Sequence, residues 1–173
     1  MQNWVWIAFS CSLATSYAAP AAADIAPMGK SVGVGLELGA PTNLNLKFIT
    51  GPSNGIVVGV GGGVWYDLSL SLHLDYLWHP ATFVENSSLT LTPYIGIGGW
   101  TSIATNSDRR VGSFGPLYFD AFPVFAGLRV PLGLSFAFNE FPMELFIEAV
   151  PAMAFFPFIG VFGQGGIGGR FYF

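Results

Sequence analysis

Residues 68–78 read LSLSLHLDYLW and alternate with a period of two. Leu68, Leu70, Leu72, Leu74, Tyr76 and Trp78 share one face; Ser69, Ser71, His73, Asp75 and Leu77 share the other. Successive side chains of a strand point to opposite faces, and no helical period produces this pattern. The segment therefore reads as a strand with an apolar environment on one side and a polar one on the other.

The same alternation recurs. In 31–39, Val34, Leu36 and Leu38 oppose Gly33, Gly35 and Glu37; in 43–50, Leu44, Leu46 and Phe48 oppose Asn43, Asn45 and Lys47. It continues through 55–65, 88–100, 122–138, 143–150 and 161–173, which makes eight segments in all. Composition decides where their apolar faces go. Only 9% of the 173 residues are charged, whereas a soluble domain carries about 25%. Such a surface belongs against lipid. No uninterrupted run of ~20 apolar residues follows the N-terminus, as a membrane helix would require, and 23 Gly and 12 Pro are scattered throughout. Strands in lipid must close to satisfy their backbone hydrogen bonds, and bacterial barrels have even strand numbers with eight the smallest. The expected fold is all-β: an eight-stranded antiparallel up-and-down transmembrane β-barrel.

The first 23 residues are expected to be a signal peptide, and 24–173 the barrel domain. Residues 4–18 form a short apolar core, and Ser16-Tyr17-Ala18 and Ala21-Ala22-Ala23 both fit small-x-small cleavage, the second being preferred. Met1-Gln2-Asn3 supplies no Lys or Arg, a departure from the usual pattern. Cys11, the one cysteine, falls within this segment. A lipoprotein anchor there is disfavoured, because Ala8-Phe9-Ser10 lacks the usual Leu three positions upstream. The mature chain would have no thiol chemistry. A net charge of −4 argues against nucleic acid as a partner. Two histidines and no mature cysteine present no metal cluster, and no cofactor is implied.

Turn chemistry separates the segments at Gly39-Ala40-Pro41-Thr42, Gly51-Pro52-Ser53-Asn54 and Asn139-Glu140-Phe141-Pro142. With both chain ends periplasmic, the long polar connection 101–119 faces outward, as extracellular loops do. The apolar connection 151–160 is also external and is expected on the membrane surface. Trp65, Tyr66, Trp78, Trp100, Tyr118 and Phe119 are candidates for the aromatic girdles.

The polar face carries Glu37, Lys47, His73, Asp75, Arg129, Glu144, Glu148 and Arg170. An eight-stranded barrel is just wide enough for side chains to fill it, and unpaired buried charge is expensive. These residues are expected to form a lumen ion-pair network that closes the barrel; an ion path or gate is the alternative. Ser71, His73 and Asp75 supply the residue types of a hydrolytic triad. Their Cα atoms would stand ~6.6 Å apart along a strand facing a narrow lumen, so a lipid-modifying enzyme is a lesser reading and no catalytic residue is assigned. A soluble barrel carrying an apolar ligand would show the opposite polarity, with charge outside. The glycine-rich runs at 59–63 and 165–169 lack the strand-turn-helix context of phosphate binding.

The chain closes with Arg170-Phe171-Tyr172-Phe173. This ending resembles the signal by which outer-membrane barrels are recognised, although Ile167 stands where a polar residue is usual. The resemblance implies recognition of Phe171 and Phe173 by the barrel-assembly machinery during biogenesis. The stretches GLELGAPTNLNLKFITGPSNGIVVGVG (35–61), LHLDYLWH (72–79), GLRVPLGLSFAFNEFPMELFIEAVP (127–151) and GGIGGRFYF (165–173) resemble a family of small bacterial outer-membrane barrels of unknown function. That resemblance implies the fold and no activity. The chain is thus expected to be a monomeric outer-membrane protein surrounded by lipid. Its role would be structural, or exercised at the surface through 101–119 and 151–160.

Overall fold

The computed structural model describes residues 25–62, 69–104, 124–157 and 159–173. A short 3-10 turn, Pro27–Gly29, leads into the strands. These are β1 (Val32–Ala40), β2 (Thr42–Gly51), β3 (Asn54–Gly62), β4 (Ser69–Trp78), β5 (Val84–Glu85), β6 (Leu89–Ala104), β7 (Val124–Arg129), β8 (Leu132–Phe138), β9 (Met143–Phe156) and β10 (Gly160–Tyr172). All pairings are antiparallel. β1 to β4 are neighbours in order; β6 pairs with both β7 and β8, each of which pairs with β9; β10 joins β9 to β1. β7 and β8 form one stave, so eight staves close the barrel, with β5 as a two-residue addition to β6.

The staves are strongly staggered. From Gly35, successive cross-strand partners are Asn45, Gly59, His73, Trp100, Gly127, Ala154 and Gly160. Yet the direct β10 partner of Gly35 is Arg170, ten residues further along. Closing a sheet requires such a shear, which tilts the strands by ~35–45° from the barrel axis. The rim where β1 begins and β10 ends is called the near rim here; the opposite one, where the β1–β2 hairpin turns, is the far rim.

Proline marks the interrupted stave. Pro131 lies between β7 and β8, is fully buried, and accepts from the Gly96 N–H at 2.7 Å. Val130 N–H donates to the carbonyl of Pro151 at 2.9 Å. A residue's N–H and C=O point to the same neighbour in a strand, so the nitrogen of Pro151 faces this seam, where no ladder donor is called for. The sequence suggests that 151–160 is a surface connection. Instead β9 continues to Phe156, and β10 begins at Gly160. The alternation also persists, with Ala152 and Ala154 buried and Met153 and Phe155 exposed.

Inside and outside have opposite chemistry. Leu70, Leu72, Leu74, Tyr76 and Trp78 are exposed on the outer wall while Ser71, His73, Asp75 and Leu77 are buried. Trp78 does lie at a strand end on the outer wall. Trp100 does not belong to a girdle. β6 runs four residues beyond it, and its parity turns it inward, where it is buried with Phe125, Ala152, Ala154 and Phe162. Trp65, Tyr66, Tyr118 and Phe119 lie outside the described residues.

Candidate functional site

The lumen is layered. Near the far rim sits the apolar cluster of Trp100, Phe125, Ala152, Ala154 and Phe162; the Trp100 and Phe162 rings meet edge-on with centroids 5.9 Å apart. A second apolar group, Val57, Leu77, Tyr94 and Phe146, lies deeper. At the near rim, Ile25 is buried and its N–H donates to the Pro52 carbonyl at 3.2 Å. Between these groups stand the ionisable side chains.

Two residues act as hubs. Glu144, on β9, receives Lys47 Nζ at 2.9 Å and Ser135 Oγ at 2.7 Å on Oε1. Its Oε2 accepts from Tyr172 OH and lies 3.4 Å from Arg170 NH1. Arg129 is the mirror case, one cation between acids: Nε is 3.1 Å from Asp75 Oδ1, NH2 is 3.1 Å from Glu148 Oε1, and NH1 donates to Gln164 Oε1 at 3.3 Å. Tyr94 OH also donates to Glu148, at 2.8 Å.

An amide chain links the remaining members. Arg170 Nε donates to Asn45 Oδ1 at 2.7 Å, Asn45 donates to Asn43 at 3.2 Å, and Asn43 donates to Glu37 Oε2 at 2.8 Å. Among the described residues, Glu37 has no cation within ion-pair distance. The Arg170 guanidinium also lies over the Phe146 ring, 3.7 Å from its centroid, a favourable placement against the π face. All eight ionisable residues of the alternating polar faces thus point inward. Seven fall into the two hubs and their links, counting His73, whose Nε2 is 3.7 Å from Asp75 Oδ2. Glu37 is tied in only through amides.

Glycine makes this crowding possible. A Cβ at Gly98 would collide with the Asp75 carboxylate, one at Gly59 with the His73 ring, and one at Gly168 with the Phe146 ring. Each glycine is the direct cross-strand partner of the side chain that fills its space. The sequence shows that glycines share the polar face, but cannot show which large neighbour uses each one. Asn43, Asn45, Ser135, Tyr94, Gln164 and Tyr172 are the network's neutral members; their inward parity is the only sequence signal for them.

The Ser71, His73 and Asp75 side chains do not form a nucleophile–base pair. Ser71 Oγ is buried without a hydrogen-bond partner among the described residues. His79, just beyond β4, is buried at the near rim, with Nδ1 3.2 Å from the Ser53 carbonyl and its ring 5.5 Å from that of Tyr94. Burial, followed by the charge of Lys47, pushes its pKa down to about 3. Phe171 and Phe173 are exposed at the near rim, with ring centroids 5.2 Å apart.

The architecture matches a solved barrel. The chain aligns with the N-terminal β-barrel domain of Pseudomonas aeruginosa OprF at a TM-score of 0.59, over 83% of this chain and 96% of that one, with 12% identity. This is the fold of an outer-membrane β-barrel. The chain also matches Ail, the attachment invasion locus protein of Yersinia pestis, at 17% identity over 83% of this chain and 95% of that one, with a TM-score of 0.34. No protein-family model matches the chain, and no curated protein matches it by sequence. The family likeness drawn from the motifs therefore rests on those motifs alone.

Proposed function

We propose that this chain is an integral outer-membrane protein whose lumen is closed by its ion-pair network, and whose role is structural or exercised through its surface connections. One observation carries the reading: the barrel is apolar outside and charged inside. Large apolar side chains such as Leu36, Leu44, Leu72, Ile97, Leu128 and Ile147 are exposed, while Lys47, Arg129, Glu144 and Arg170 are almost completely buried. A soluble carrier of apolar ligands needs the reverse, and in water this outer wall would far exceed the apolar patches that monomeric proteins leave exposed.

The lumen supports closure over catalysis. Apart from Glu37, its acids and cations pair with one another, and the ring cluster at the far rim stands in the way of a polar path. A lipid-modifying reaction would need an activated nucleophile open to the bilayer, and the lumen-facing Ser71 has no hydrogen-bonded base among the described residues. Of the connection expected at 101–119, residues 101–104 belong to β6; the remainder, with Asp108-Arg109-Arg110, is the segment assigned to a surface interaction.

Fractionation with a heat-modifiability gel tests the reading. The expected result is protein in the outer-membrane fraction that migrates differently before and after boiling in detergent. Soluble periplasmic protein with no shift would overturn it in favour of a ligand carrier.

A further inference from the structure

The apolar outer wall has two very different heights. On β9 every second residue from Met143 to Phe155 is exposed and apolar. At a strand rise of ~3.3 Å and a tilt of ~40°, those twelve steps span ~30 Å along the barrel axis. On β2 the outward series is Leu44, Leu46 and Phe48, bounded by Thr42 and Thr50. The two threonines are only ~20 Å apart along the axis by the same conversion.

The stagger explains the difference. The β1–β2 hairpin turns at Pro41, and the last β1–β10 pair is Ala40 with Gly165. β10 continues for five residues towards the far rim, through Gly160–Gln164, paired with β9. The β9–β10 crest therefore stands above the β1–β2 hairpin, and it is apolar: Ile159 and Val161 are each 80% exposed.

A flat bilayer suits only one of these walls. The usual apolar band is ~25 Å tall. Such a band would cover a threonine on β2 and still leave an end of β9 in water. Tilting the barrel does not help, because it moves both boundaries of a given face together. Lipid, by contrast, thins or thickens locally at modest cost.

We propose that the barrel imposes a wedge on the surrounding bilayer, thinning it along β2 and keeping it thick along β9. The occupant of both faces is lipid acyl chain, since neither wall presents charge between its boundaries. Lys30 fits this arrangement at the lower edge, beside Phe171 with its Nζ 6.0 Å from the ring centroid, as a long cation reaching for headgroups. The proposal rests on the outer-membrane reading above.

Spin-label depth measurements test it. The full chain carrying Cys11→Ser would receive single cysteines by Thr42→Cys, Thr50→Cys or Phe155→Cys, and would be reconstituted in dioleoylphosphatidylcholine vesicles. Oxygen and nickel-chelate accessibilities then report depth. Labels at Thr42, Thr50 and Phe155 are all expected at the headgroup boundary, although the wall that ends at Phe155 is ~10 Å taller than the one bounded by the threonines. A Phe155 label in water, with both threonine labels interfacial, would mean a uniformly thin bilayer and overturn the proposal. Either threonine label inside the hydrocarbon would mean a uniformly thick one and overturn it as well. If Thr42→Cys does not fold, Leu44→Cys replaces it, with a label expected within ~5 Å of the headgroups, one outward step down the strand. Labels that nowhere meet lipid, in a protein without a heat-induced shift, would sink the outer-membrane reading together with the proposal.

Discussion

Glu144 and Glu37 are both buried carboxylates on the lumen wall, but their surroundings differ. Glu144 faces Lys47 and Arg170 and accepts from Ser135 and Tyr172; Glu37 is met by the Asn43 amide. Removing one partner from a buried ion pair leaves an uncompensated charge and costs ~3–5 kcal/mol. Glu144→Gln is therefore expected to destabilise the barrel by that amount in urea unfolding from vesicles. Glu37→Gln removes a buried charge that has no adjacent cation among the described residues, so its unfolding free energy should match or exceed that of the parent. Equal losses in the two variants would show that the hub is no more important than any other buried acid. His79 offers a test by pH. Unfolded, its imidazole takes up a proton below pH 6.5, whereas in the barrel it resists protonation down to about 3. The unfolded state binds more protons within that window, so stability falls as pH drops through it, by at most ~1.4 kcal/mol per unit. His79→Gln should lose less stability than the parent between pH 6 and pH 4. Parallel pH profiles for the two proteins would rule out the histidine as the source. Residue identity on the inward face was legible from the alternation, but partner identity was not. Lys47 meets Glu144 from 97 positions away, and Arg170 meets Asn45 from 125; the stagger that brings them together leaves no local trace in the chain.

Along a single element the alternation is a strong guide. On β4, from Leu70 to Trp78, the outward and inward sets in the structure are those of the sequence pattern. That permits a test with two adjacent residues. Leu72→Arg would place a cation in the lipid-facing wall and should destabilise the barrel by ~2–4 kcal/mol if it sits at mid-bilayer depth. Ser71→Ala removes a buried hydroxyl that finds no partner among the described residues, which is near-neutral or stabilising. Guanidinium titrations of both variants in lipid check the pair, and comparable losses would invalidate the assignment of faces. Where proline enters, the same pattern misleads. Pro151 suggests the end of a strand, because proline cannot donate to a ladder. It is tolerated inside β9 because its nitrogen faces the seam between β7 and β8. That seam is a tertiary feature, created by Pro131 on another stave. Trp100 is misplaced for a related reason: the unknown length of β6 turned a mid-strand lumen residue into an apparent strand-end aromatic.

At the scale of the whole molecule, closure depends on β10 finding β1. Their register runs from Gly33 opposite Tyr172 to Ala40 opposite Gly165, and Phe173 N–H adds a backbone bond to the Val32 carbonyl at 2.9 Å. The last strand is thus both the final piece of the barrel and, if its resemblance to an assembly signal holds, the segment presented to the assembly machinery. The two roles use different atoms. Closure uses the backbone of β10 and the inward side chains of Arg170 and Tyr172. Recognition would use the outward rings of Phe171 and Phe173, the latter 66% exposed. Phe173→Ala keeps the backbone bond and every lumen contact while removing an exposed ring. Its stability after unassisted folding into vesicles should lie within ~0.5 kcal/mol of the parent, the usual range for surface changes. Its yield of heat-modifiable barrel in cells should nevertheless drop several-fold. Equal yields in cells would remove the ring from any assembly signal, whereas losses in both settings would make its contribution structural. Only the combination of intact folding in vitro and impaired assembly in cells supports a recognition role. A preserved fold also ensures that the defect arises before the barrel closes, while β10 is still available to be read.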